Sequence, residues 1–204
     1  MAADHGKTGV MRTDRLQALA DGVFAIALTL LVLELPLPKE STHLGQDLLR
    51  AWPSYLAYAL SFITVSIVWV NHHRLMDTVK QADRTLLELN LLLLLFVAAV
   101  PWPTGLLADY IRDPEQGRAA AVAYGTVMTL MSVSFTLIWV WLARSAHLTH
   151  PDTRSLIPSA LKRSMVGPAI YIVSTGLAFL DAAAACVLFA VITCYFAYSG
   201  RRAA

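Results

Sequence analysis

Arg15, Asp21 and Glu34 interrupt an otherwise apolar stretch near the start of the chain, RLQALADGVFAIALTLLVLELP from Arg15 to Pro36. A second polar set follows as Trp69-Val70-Asn71-His72-His73-Arg74, then Asp83-Arg84, Glu88 and Asn90. An aspartate within reach of histidine can serve acid–base catalysis, an ion pair or an inter-helix hydrogen-bond network. At 100° per residue Arg15 and Asp21 lie about 120° apart around a helix, so they do not pair well with each other. Asp21 must find a partner on another helix, take up water or be protonated. Arg15, Asp21, His72 or His73, and Asn90 form one candidate polar cluster; the alternative is that they face headgroups and water. No nucleophile elbow, zinc spacing or phosphate loop accompanies them, so no enzyme activity, cofactor or resident metal is expected.

The elements that must position these groups are membrane helices. The 204 residues are 57% hydrophobic and 15% charged, with mean hydropathy +0.57. A soluble domain carries about 25% charged residues. The apolar residues gather into six blocks, approximately 16–35, 52–70, 86–108, 119–143, 166–180 and 182–198. Five of them are close to the roughly 20 residues that a helix needs to cross a bilayer, and the fifth in order, 166–180, is short on its own. The expectation is an all-α membrane protein, one six-helix transmembrane domain over 1–204. Pro36 and Pro38 stop the first helix, and the last two blocks meet at Asp181 as a tight hairpin. Cys186 and Cys194 lie in the last block, too far apart along one helix to bridge.

Orientation follows from the basic residues of the short loops. With the N-terminus inside, twelve of the sixteen Lys and Arg fall on the inner side and only Lys39, Arg50, Arg112 and Arg118 on the outer. Both termini are therefore expected in the cytoplasm, in a multi-pass protein of the plasma membrane. A formal charge of +2 gives no reason to expect nucleic acid as a partner.

The first helix has a second face. Leu19, Gly22, Ile26, Leu30 and Leu33 fall within about 40° of one line, and Asp21 points some 140° from Ile26. This stripe either packs against a neighbouring helix or presents branched apolar side chains elsewhere. Thr29 flanks it, and a lone hydroxyl in a membrane helix commonly bonds back to its own backbone.

The pattern Arg15-x-x-x-Leu19-Ala20-Asp21-Gly22-Val23-Phe24-Ala25-Ile26-Ala27, running into Thr29 and Glu34, resembles the signature helix of the transmembrane protein 175 family of cation channels. Trp69, His72-His73-Arg74-Leu75, Asp83, and Asn90 ahead of Pro101-Trp102-Pro103-Thr104 are similar to the second and third helices of its bacterial members. The family motif is Arg-x-x-x-Phe-Ser-Asp; Leu19 and Ala20 depart from it and remove a hydroxyl. The resemblance implies a homotetramer around a central pore lined by the first helix of each subunit. It implies pore-lining roles for Ile26, Thr29, Leu30 and Leu33, and an inter-helix network of Arg15, Asp21, Trp69, His72 or His73, and Asn90.

The activity so implied is that of a potassium-permeable channel. A pore walled by Ile26, Leu30 and Leu33 constricts hydrophobically and can gate by dewetting, without a carbonyl-lined filter. The rival is a secondary transporter of a cation or small solute. Transporters place ionisable groups near the bilayer midplane, whereas Asp21, Glu34 and Glu88 lie towards helix ends.

Overall fold

The computed structural model describes residues 13–38 and 42–201, with the side chains of 199–201 excepted. Lys7, Arg12, Lys39 and Arg202, which enter the charge bias, lie outside the described residues, as does the side chain of Arg201.

Nine α-helices are present among the described residues: α1 Thr13–Leu30, α2 Leu44–Arg50, α3 Trp52–Met76, α4 Arg84–Ala99, α5 Pro101–Tyr110, α6 Gln116–Arg144, α7 Ile157–Ser164, α8 Val166–Ala178 and α9 Ala182–Arg201. A 3-10 turn, Leu31–Glu34, extends α1 until Leu35 becomes extended ahead of Pro36. Among the described residues four stretches are long and apolar enough to cross a membrane: Thr13–Glu34, Trp52–Met76, Arg84–Tyr110 and Gln116–Arg144. The closing hairpin is shorter, α8 having 13 residues.

The third apolar block differs from a plain helix. It is divided at Val100, because Pro101 and Pro103 have no N–H to continue the ladder. Val100 keeps helical dihedrals, so α4 and α5 follow one another with a change of hydrogen bonding rather than a loop. The start of α4 is capped by Asp83, whose Oδ1 accepts from Leu86 N at 2.8 Å. The same oxygen accepts from Trp141 Nε1 at 3.2 Å, tying α4 to the end of α6.

α6 is the hub, packing along α4, α5, α7, α8 and α9. Its buried face includes Tyr124, Met128, Met131, Ile138 and Leu142. Gly125 lets α8 approach: a Cβ there would meet Thr175 Oγ1 and lie 3.0 Å from Phe189 Cζ. Hydroxyls link helices within the apolar interior, Ser61 with Thr104 at 2.8 Å, Ser61 with Tyr124 at 3.2 Å and Thr64 with Thr193 at 2.8 Å. Such bonds contribute about 0.6 kcal/mol each in membrane bundles.

The loops pair by side. Val79 and Thr149 form an antiparallel bridge, with Lys80 N donating to Leu148 O and His150 N to Thr78 O. The α3–α4 and α6–α7 connections therefore meet at one end of the bundle. At the other end Arg112, just after α5, donates to the carbonyl of Arg50 and lies over the Trp52 ring.

Candidate functional site

α1 has two faces of opposite character. Leu16, Ala20, Phe24, Ala27 and Leu31 are buried against the rest of the chain. The spacing of these residues follows one side of a helix, so they anchor α1 by apolar burial. On the other side Ile26, Leu30 and Leu33 remain 59%, 41% and 72% exposed. Leu19 and Gly22 are exposed on this stripe too. Thr29 donates to Ile26 O at 2.8 Å, the back-bond typical of a lone hydroxyl.

The polar residues divide into two groups rather than one cluster. Trp69 Nε1 donates to Asp21 Oδ1 at 2.9 Å, and Gln17 Nε2 lies 3.0 Å from His73 Nδ1. Gln17 and Asp21 are one turn apart on α1, as are Trp69 and His73 on α3. The two contacts are therefore successive rungs between antiparallel helices. Trp69 and His73 also lie near one another, ring centroids 6.3 Å apart.

His72 turns away from this ladder into the bundle. Its Nε2 lies 2.7 Å from Asn90 Oδ1, and both residues are buried to 1% exposure. Phe24 packs on the same imidazole with centroids 5.6 Å apart. The arrangement joins α1, α3 and α4 through one ring. Asn90 Nδ2 is buried with no hydrogen-bond partner.

Neither histidine hydrogen-bonds to Asp21; the indole takes that place. Arg15 is exposed and makes no hydrogen bond or ion pair with Asp21 or Asn90. Gln17 and Phe24 escaped the sequence reading. A signal for Gln17 was present, since it precedes Asp21 by four residues as Trp69 precedes His73.

The outer end of α1 carries a further contact. Glu34 lies over Gly105 on α5, and a Cβ at Gly105 would meet the carboxylate oxygen and sit 3.0 Å from Glu34 Cδ. Glycine at this position is what allows the carboxylate to sit against the helix backbone. Among the described residues no three His, Cys, Asp or Glu side chains gather as a metal site.

A family model, endosomal/lysosomal potassium channel TMEM175, matches residues 15–101, the segment holding α1, α3 and α4. A potassium channel of Streptomyces collinus is 40% identical over 188 residues, covering 91% of both chains. The human endosomal/lysosomal proton channel TMEM175 is 33% identical over 136 residues, 62% of this chain and 27% of the human one. The crystal structure of a lysosomal potassium-selective channel TMEM175 homolog from Chamaesiphon minutus superposes with TM-score 0.83 at 36% identity, covering 92% of this chain and 97% of that one.

Proposed function

The chain belongs to the TMEM175 family of channels, and from that premise we propose that it is a potassium-permeable channel whose pore is lined by α1. The carrying observation is the exposure of Ile26, Leu30 and Leu33 on a helix whose opposite face is buried. One subunit supplies one such helix, so a closed pore requires several copies under cyclic symmetry, and the number proposed is four. Around the axis the three side chains form stacked apolar rings. Each ring narrows the path and expels water, and a modest widening rehydrates it.

The anchoring contacts suit this role. The Asp21–Trp69 and Gln17–His73 rungs lie on the flank of α1 between its buried and exposed faces. They fix the rotation of α1, and with it the direction in which Ile26 and Leu30 point. The inter-helix network of the reading comprises Asp21, Trp69, His72, His73 and Asn90, with Arg15 at its aqueous edge.

The proposed topology is six crossings with both termini in the cytoplasm, in the cell membrane. The meeting of the 77–83 and 145–150 loops at one end supports it, because the charge bias assigns both to the inner side. α8 and α9 supply the fifth and sixth crossings. Exposed Met165, Phe179 and Leu180 extend the apolar length of α8 beyond its helical residues.

The test is potassium flux from liposomes holding the wild-type protein or Leu30→Ala. Gradient-driven flux in the wild type, increased in the variant, is expected. An intact oligomer giving no flux in either form would rule the channel reading out. Saturable, counter-ion-dependent uptake without unitary currents would favour a transporter.

A further inference from the structure

A cavity of about 100 Å³ lies between α3, α6, α7, α8 and α9, apart from the exposed stripe of α1. Its wall is largely apolar, with Val68, Met131, Phe135 and Phe196 among the lining residues, and it reaches the bonded hydroxyls of Thr64 and Thr193 at depth. Along α3 the lining runs from Thr64 to Arg74, about 15 Å at 1.5 Å per residue. Asn71, Arg74 and Arg163 stand at the α3 C-terminal end of this space.

The half-buried guanidinium of Arg163 makes one long hydrogen bond, 3.4 Å to Asn71 Oδ1, and no ion pair with a described carboxylate. Arg163 belongs to α7, a short helix with Lys162 beside it, which leads directly into α8. The cavity is thus elongated, apolar along its length and cationic at one end.

These two halves call for an occupant with two halves. A soluble anion would satisfy the guanidinium and leave the apolar walls unfilled. A permeating cation would be repelled at the mouth. We propose that the cavity holds a segment of one acyl chain of an anionic phospholipid drawn from the surrounding bilayer, with its phosphate against Arg163. Arginine suits the phosphate because its planar fork donates two parallel hydrogen bonds. The apolar wall takes the chain, and the net negative headgroup separates this lipid from zwitterionic ones.

The probe is native mass spectrometry of the full-length oligomer in detergent, offered phosphatidylglycerol or phosphatidylcholine with the same acyl chains. Wild type is expected to retain phosphatidylglycerol in preference, by roughly tenfold, as one charge-assisted contact gives. Arg163→Gln removes the preference, and Arg163→Lys, which keeps the charge but not the fork, retains part of it. Ser132→Phe, on the cavity wall, lowers retention of both lipids. Equal retention of the two lipids by the wild type overturns the proposal. So does an unchanged preference in a folded Arg163→Gln protein, or displacement of phosphatidylglycerol by millimolar inorganic phosphate alone. Because the readout is bound lipid, the outcome does not depend on whether the protein conducts.

Discussion

Trp69 on α3 donates its indole N–H to the carboxylate of Asp21 on α1 across 2.9 Å. One turn away Gln17 and His73 repeat the crossing at 3.0 Å. Two rungs between the same pair of helices define an azimuth as well as a distance. α1 cannot turn about its axis without breaking both.

Trp69→Phe keeps most of the ring and removes the donor. The expected result is a loss of about 1 kcal/mol, the net value of one hydrogen bond. In a chain of this size that lowers the melting temperature by about 2–4 °C. The potassium flux of the reconstituted protein should change with it, because the direction of Ile26 and Leu30 depends on this rung. Unchanged melting and flux together would remove the rung from the account.

His72 and Asn90 are tested as a pair. Asn90→Leu strands the buried imidazole and should cost about 1–3 kcal/mol. His72→Phe preserves the ring that packs on Phe24 but leaves the Asn90 carbonyl oxygen unmet. The double variant removes both polar groups, so it should be less destabilised than the sum of the singles. A coupling energy of about 1 kcal/mol from thermal or denaturant unfolding is expected. Strict additivity would show that the 2.7 Å contact contributes nothing.

Ile26→Asn places a polar amide in the proposed ring. It should raise potassium flux by hydrating the constriction. The buried face of α1 is untouched, so the secondary structure of the folded subunit should be retained in circular dichroism. If the stripe meets only lipid, Asn here lowers stability and leaves flux per folded oligomer unchanged.

Gly105→Ala drives a methyl group into the Glu34 carboxylate. Overpacking of this kind costs about 1–3 kcal/mol. Removing the obstruction with Glu34→Ala should restore much of the lost stability in the double variant. Failure of that rescue would mean that Gly105 is needed for the α5 backbone itself.

Much of this architecture was legible from residue order. Long apolar runs, separated by proline and charge, mark the helices, and the stripe of Ile26, Leu30 and Leu33 follows from helical spacing alone. The level of Asp21 beside Trp69 was legible too, because counting residues along a helix gives height along the bundle. Rotation between helices was not. Trp69 and His72 sit at similar heights but about 60° apart around α3, and that angle sends one to Asp21 and the other to Asn90. The α2 helix and the Val79–Thr149 bridge were invisible for a related reason. Both are settled by how distant loops meet, and no local periodicity reports on that. The interruption at Val100 lay in plain sight in Pro101 and Pro103, but their effect was to divide the helix there rather than end the apolar segment.

Glu34 resting over Gly105 places a second attachment on α1, at the end opposite Asp21. A rod pinned near both ends cannot swing outward like a door. It can bow in the middle or twist between its fastenings, and the middle is where Ile26 and Leu30 stand. In the proposed assembly, small displacements there, multiplied by its symmetry, would alter the bore most steeply at its narrowest radius. Stiffness at the two ends would thus concentrate compliance at the proposed constriction.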